Sequence, residues 1–139
     1  MQTRVQAHTV YQLGYHIVFI PKYRRKVLVD GVDEYAEDVM KSYLADKYPD
    51  VQVEEMNIRI DHVHLLLIIP PKYAISTVVG DLKANSSKEL RKKFEYLKRN
   101  ENLWSIGFYV SAVGINEEKI RNYIKYQEQQ DKGQALLAF

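Results

Sequence analysis

A chain of 139 residues, 46% hydrophobic and 27% charged, has the material for one packed domain, which excludes both a disordered segment and two independent cores. A net charge of +2 is too small for the total to argue a nucleic-acid partner, and the absence of cysteine excludes disulfides and thiolate metal sites. No apolar run approaches a membrane span or a secretory h-region, so a soluble cytoplasmic protein with no membrane partner is expected, as a single domain over residues 1–139 with a flexible lead-in over 1–9.

The segment "GYHIVFIP" reads as a first strand, closed by Pro21, which cannot donate to a ladder. The basic loop "PKYRRK" follows at 21–26. From Gly31 to Tyr48, residues Val32, Tyr35, Ala36, Val39, Met40, Tyr43 and Leu44 keep helical spacing, and Pro49 marks the stop. "VQVEEMNIRI" alternates imperfectly and leads into "HVHLLLII", so the two read as an antiparallel hairpin closed by Pro70 and Pro71. The second of these strands is apolar on both faces and therefore central.

A second helix is expected from about Ile75 to Leu97, with Ile75, Val78, Val79, Leu82, Leu90, Phe94 and Leu97 on one stripe and cations on the other. "FYVSAV" reads as another strand after a loop that carries Trp104. Gly114 then turns the chain into a last helix over 116–130, with Asn116 as N-cap and Glu117 and Glu118 in the first turn, followed by an apolar tail over 131–139. The order predicts an α+β fold: a ferredoxin-like βαββαβ sandwich with an antiparallel sheet, plus a C-terminal helix.

In a strand, residues two apart face the same side, so His62 and His64 project together while Val63 projects to the opposite face. Such a pair can chelate a metal, and it can equally be two half-buried histidines bonded to their neighbours. Asp61 beside them can orient an imidazole or bind the ion itself. On the last helix, Tyr123 and Gln127 stand four residues apart on one face, a spacing that ordinary surface residues also show. His8 and His16 receive no catalytic role, and His16 reads as a packed strand residue.

Taken together, "YHIVFIPKYRRKVL", "DHVHLLLIIP", "LKANSSKELRKKF", "LWSIGFYVSAVG" and "NYIKYQEQQ" resemble the single-tyrosine HUH transposases, the TnpA type of insertion sequences that move as single-stranded DNA. The resemblance spans about residues 10 to 130. It implies a metal-dependent single-strand DNA endonuclease and strand transferase, with His62 and His64 as the two histidines, Tyr123 as nucleophile and Gln127 as third ligand. Mg²⁺ or Mn²⁺ suits two imidazoles and an amide oxygen better than structural zinc does. It further implies DNA hairpins as partner, a nucleoid-associated prokaryotic setting, and a homodimer whose tyrosine helix completes the partner's site in trans.

With such a partner, Lys22, Tyr23, Arg24 and Arg25 become candidate contacts to phosphates and an unpaired base, and Lys83, Lys88, Arg91 and Lys92 to a hairpin stem; solvated helix faces are the alternative. Ala84 and Ile106 depart from the family pattern, which bears on local DNA contacts. Two other functions stay open: a noncatalytic single-stranded nucleic-acid binding module, and a domesticated tyrosine transposase acting on repetitive palindromes.

Overall fold

The structure is a computed structural model and describes residues 4–6, 9–11, 13–98 and 102–114. The backbone begins with a short antiparallel ribbon, β1 (Arg4–Gln6) paired to β2 (Thr9–Tyr11), where the sequence reading has a flexible lead-in. The domain proper is built from β3 (Leu13–Phe19), α1 (Val32–Lys47), β4 (Gln52–Arg59), β5 (His62–Ile68), α2 (Ile75–Lys93) and β6 (Tyr109–Gly114). Its four-stranded sheet runs β4-β5-β3-β6 with every neighbour antiparallel. That is the expected βαββαβ sandwich. The expected helix over 116–130 lies outside the described residues. No described helix is long and apolar enough to cross a membrane.

Period-two geometry divides the central strands. Ile17 and Phe19 of β3, with Val63, Leu65 and Leu67 of β5, enter a core with Val32, Ala36, Met40 and Leu44 of α1 and Val78, Val79, Leu82 and Leu90 of α2. The even-numbered residues His16, Val18, His62, His64, Leu66 and Ile68 point to the opposite face and are also buried. A strand buried on both sides loses the alternation of polarity that marks a half-exposed one, and β5 reads accordingly.

The imperfect alternation of β4 has a local cause. The register shifts between Val53 and Glu55, opposite Leu67 and Leu66, which leaves Glu54 as the extra residue of a bulge. Val53 and Met56 are three apart and would face opposite sides of a regular strand. The bulge returns both, with Ile58, to the helix-covered core.

Helix α1 starts after Asp30 (φ 53°) and Gly31 (φ 93°), two successive left-handed residues that swing the chain into the first turn, where Asp33 and Glu34 suit the positive helix end. Helix α2 ends earlier than its apolar stripe suggests. Phe94 is extended (φ −113°, ψ 114°), and Glu95–Leu97 forms a 3₁₀ turn that inserts Leu97 into the core.

Two buried serines of α2 organise the following loop. Ser86 Oγ accepts the Trp104 indole N–H at 2.9 Å, and Ser87 Oγ accepts the Leu103 backbone N–H at 2.9 Å. Trp104 is consequently a core residue, edge-on to Phe19 with ring centroids 4.8 Å apart. Ser87→Ala leaves a buried N–H without its acceptor and is expected to cost about 1–3 kcal/mol in urea denaturation. Unaltered stability would show that the serine does not hold the loop.

Candidate active site

A two-residue turn at Ile60 and Asp61 joins β4 to β5, so Arg59 pairs directly with His62 and the carboxylate of Asp61 stands at the entrance of the histidine strand. Asp61 Oδ1 lies 2.8 Å from His62 Nδ1, and Arg24 Nε donates to Asp61 Oδ2 at 3.1 Å. A carboxylate only accepts, so His62 carries its proton on Nδ1 and would present Nε2 as a metal donor.

Arg24 reaches this point because the basic loop bends sharply as it leaves β3. Tyr23 (φ 60°) and Arg24 (φ 53°) are both left-handed, a conformation that costs non-glycine residues on the order of 1 kcal/mol or more each. Pro21 bridges to Trp104, and Lys22 N–H donates to Leu103 O at 2.9 Å, which ties the loop to the one held by the α2 serines.

His62 and His64 project from the same face of β5 with ring centroids 4.5 Å apart. The pairing of Val18 with His64 and of His16 with Leu66 makes His16 the diagonal neighbour of His64 on that face. His16 Nε2 lies 3.4 Å from His64 Nδ1, and all three histidines are buried. Burial pushes His16 down to about 4, and burial together with the charges of His62, His16 and Arg59 pushes His64 down to about 3. Both imidazoles are therefore neutral at neutral pH, the form that binds a metal.

The pair fits a divalent cation as part of a donor set. Among the described residues no group of three or more His, Cys, Asp or Glu stands where it could hold a metal, so within them His62 and His64 are the two imidazole donors that such a site would use. Gln127 and Tyr123 lie outside the described residues. Asp61, expected either to orient an imidazole or to bind the ion, has its oxygens directed at His62 and Arg24, the arrangement of an orienting group.

The basic candidates separate by position. Arg24 joins the histidine cluster through Asp61, whereas Tyr23 is 79% exposed with the Arg25 guanidinium 5.3 Å from its ring centroid, and Lys22 is exposed beside them. Lys88, Arg91 and Lys92 ride on α2, which packs on the sheet face opposite the histidines. Arg91 Nε donates to Ser87 Oγ at 3.2 Å. Lys83 turns its ammonium inward, to Ser105 O at 2.8 Å and Gly107 O at 2.6 Å, where burial lowers its pKa. It braces a loop.

His16 is the packed strand residue that the sequence predicts. Its approach to His64 is set by the β3–β5 register, which its own strand does not encode.

The family model for IS200-like transposases matches residues 9–127. The chain belongs to this family. The transposase for insertion sequence element IS200 of Salmonella typhimurium is 40% identical over 129 residues, covering 91% of this chain and 84% of that protein. A crystal structure of a transposase candidate from Deinococcus radiodurans superposes with TM-score 0.72 and 28% identity over 91% of this chain and 97% of the other. A REP-associated tyrosine transposase bound to a REP hairpin shares the fold, with TM-score 0.51 and 14% identity over 88% of this chain and 68% of the other. The transposase thus cuts and transfers DNA strands.

The lowered pKa values of His16 and His64 set an acid limit on the metal-free transposase. An unfolded histidine binds a proton near pH 6.5, whereas these two resist protonation in the fold down to about 4 and about 3. Below 6.5 the unfolded chain therefore binds more protons, and stability present above that pH is lost progressively as the pH falls toward 4. Urea midpoints measured between pH 7 and 4.5 should decline. A flat profile would contradict buried neutral histidines.

Proposed function

We propose that this transposase recognises hairpin ends of single-stranded DNA, cleaves beside them through Tyr123, and rejoins the strands, with Mg²⁺ or Mn²⁺ held by His62, His64 and Gln127. The observation that carries the reading is the pair of buried imidazoles on β5, one of them fixed by Asp61. A cation there would neutralise charge developing on a nonbridging phosphate oxygen.

Tyr123 supplies the nucleophile. Its phenol, with an ordinary pKa near 10, gives up its proton as its oxygen bonds to phosphorus and the bond to the 3′ oxygen breaks. The products are a 5′-phosphotyrosine and a 3′ oxygen that takes up a proton. Attack by another 3′-hydroxyl reverses the exchange and releases tyrosine, so rejoining conserves the phosphodiester and needs no nucleotide cofactor.

Tyr23, exposed on its strained loop, would stack on an unpaired base, with Lys22 and Arg25 taking phosphates. Hairpin recognition is supported by the fold shared with the REP-hairpin-bound transposase, and an insertion-sequence substrate by the 40% identity to the IS200 enzyme. The proposal includes a homodimer in which the tyrosine of one subunit serves the histidines of the other, as the family resemblance implies.

With Mn²⁺ and labelled single-stranded hairpin DNA, wild-type protein should form an adduct that survives denaturing electrophoresis. Tyr123→Phe should abolish it and Tyr126→Phe should not; an adduct persisting in Tyr123→Phe would sink the assignment. His62→Ala and His64→Ala should retain hairpin binding and lose cleavage by about 100-fold or more. Mixing Tyr123→Phe with His64→Ala should restore cleavage, because a mixed dimer then holds one intact composite site. Failure of the mixture, with dimer exchange verified, would place the tyrosine in cis.

A further inference from the structure

We infer that His16 is a positioning residue for the metal site: its Nε2 accepts the Nδ1 proton of His64 and so turns the His64 Nε2 lone pair toward the cation. The inference rests on the proposed role of His64 as a metal donor and extends it to a residue of a different strand.

The geometry begins with the register. Val18 lies opposite His64, so His16 is the diagonal neighbour on the same sheet face, and its Nε2 approaches His64 Nδ1 to 3.4 Å. A long contact of this kind still has a direction. If His16 donates, the proton of neutral His64 sits on Nε2 and that nitrogen is lost as a donor to metal. If His64 donates, Nε2 carries the lone pair and His16 must hold its own proton on Nδ1.

The neighbouring ligand indicates which direction serves the site. His62 Nδ1 is held by Asp61 Oδ1 at 2.8 Å, which selects the tautomer with the lone pair on Nε2. With His64 donating to His16, both imidazoles adopt the same tautomer and turn equivalent nitrogens outward. One is oriented by a carboxylate within its own hairpin and the other by an imidazole across the β3–β5 ladder.

Burial makes the arrangement selective. His16 is 2% exposed and His64 1%, so water competes poorly for the contact. A carboxylate at position 16 would bring a negative charge onto this buried face. A neutral imidazole provides an acceptor without one. The two rings are tilted by 34° with centroids 5.5 Å apart, and their nearest nitrogens are 3.4 Å apart.

The test reads the tautomer directly. In metal-free wild-type protein, long-range ¹H–¹⁵N correlation of the imidazoles should give His64 a protonated Nδ1 and an unprotonated Nε2. A protonated Nε2 overturns the inference without any variant. His16→Leu, with folding checked by circular dichroism and by hairpin binding in chelator, should lose that tautomer preference. It should also weaken Mn²⁺ binding about 10–100-fold, read by calorimetry without DNA. His16→Gln, whose Oε1 has about the reach of Nε2, should restore both.

A folded His16→Leu protein with unchanged tautomer and Mn²⁺ affinity would overturn the inference, as would His16→Gln failing as badly as His16→Leu, which indicates packing alone. If wild-type protein binds no Mn²⁺, the metal assignment fails, and the His64 tautomer in wild type and in His16→Gln still decides the role of His16.

Discussion

The antiparallel pairing of β3 with β5, in the register that sets Val18 opposite His64, is the constraint on which the rest of the molecule depends. These are the two inner strands, and each is buried on both faces. A slip of one residue in either strand would exchange its faces, carrying histidines under the helices and aliphatic side chains out of the core. The hydrophobic demand of the helix-covered side therefore holds the histidines on the other. The core and the histidine pair use the same strand and divide it by parity.

Polar groups around that face are then placed by short-range geometry. The tight turn at Ile60 and Asp61 delivers a carboxylate to His62, and the left-handed pair Tyr23 and Arg24 bends the basic loop until Arg24 meets that carboxylate. The same bend leaves Tyr23 and Arg25 outward and exposed. Backbone strain at these two residues is held by attachments on either side: Pro21 and Lys22 are tied to Leu103 and Trp104, which the α2 serines tie down in turn, and Leu28 N–H donates to Ile60 O. The basic loop thus rests on the core at both ends.

The cations of α2 stand on the layer opposite the histidines. The face of α2 toward the sheet serves the core and the loop, through Ser86, Ser87 and Lys83, while Lys88 and Lys92 point away on the layer opposite the histidines. A strand cleaved at the histidine face and a stem contacting α2 would have to pass around the sheet. Cations close to the histidine face are Arg24 of the 21–26 loop and Arg59.

Much of this was readable along the chain because local periodicity reports local burial. The stripe of Val32, Ala36, Met40 and Leu44 marks α1, the unbroken apolar run marks β5 as central, and the spacing of His62 and His64 puts both on one face whatever the strand's partners are. The sequence by itself also carried the family, since motifs separated by tens of residues agree in order and spacing. Tertiary structure alone decided which residues beyond the adjacent Asp61 stand beside those histidines. The bulge at Glu54, the inward turn of Lys83, the capture of Trp104 by Ser86 and the approach of His16 to His64 all depend on strand register and packing between residues distant in sequence. Period and spacing are properties of one segment, whereas register is a property of two, and no single strand states where its neighbour begins.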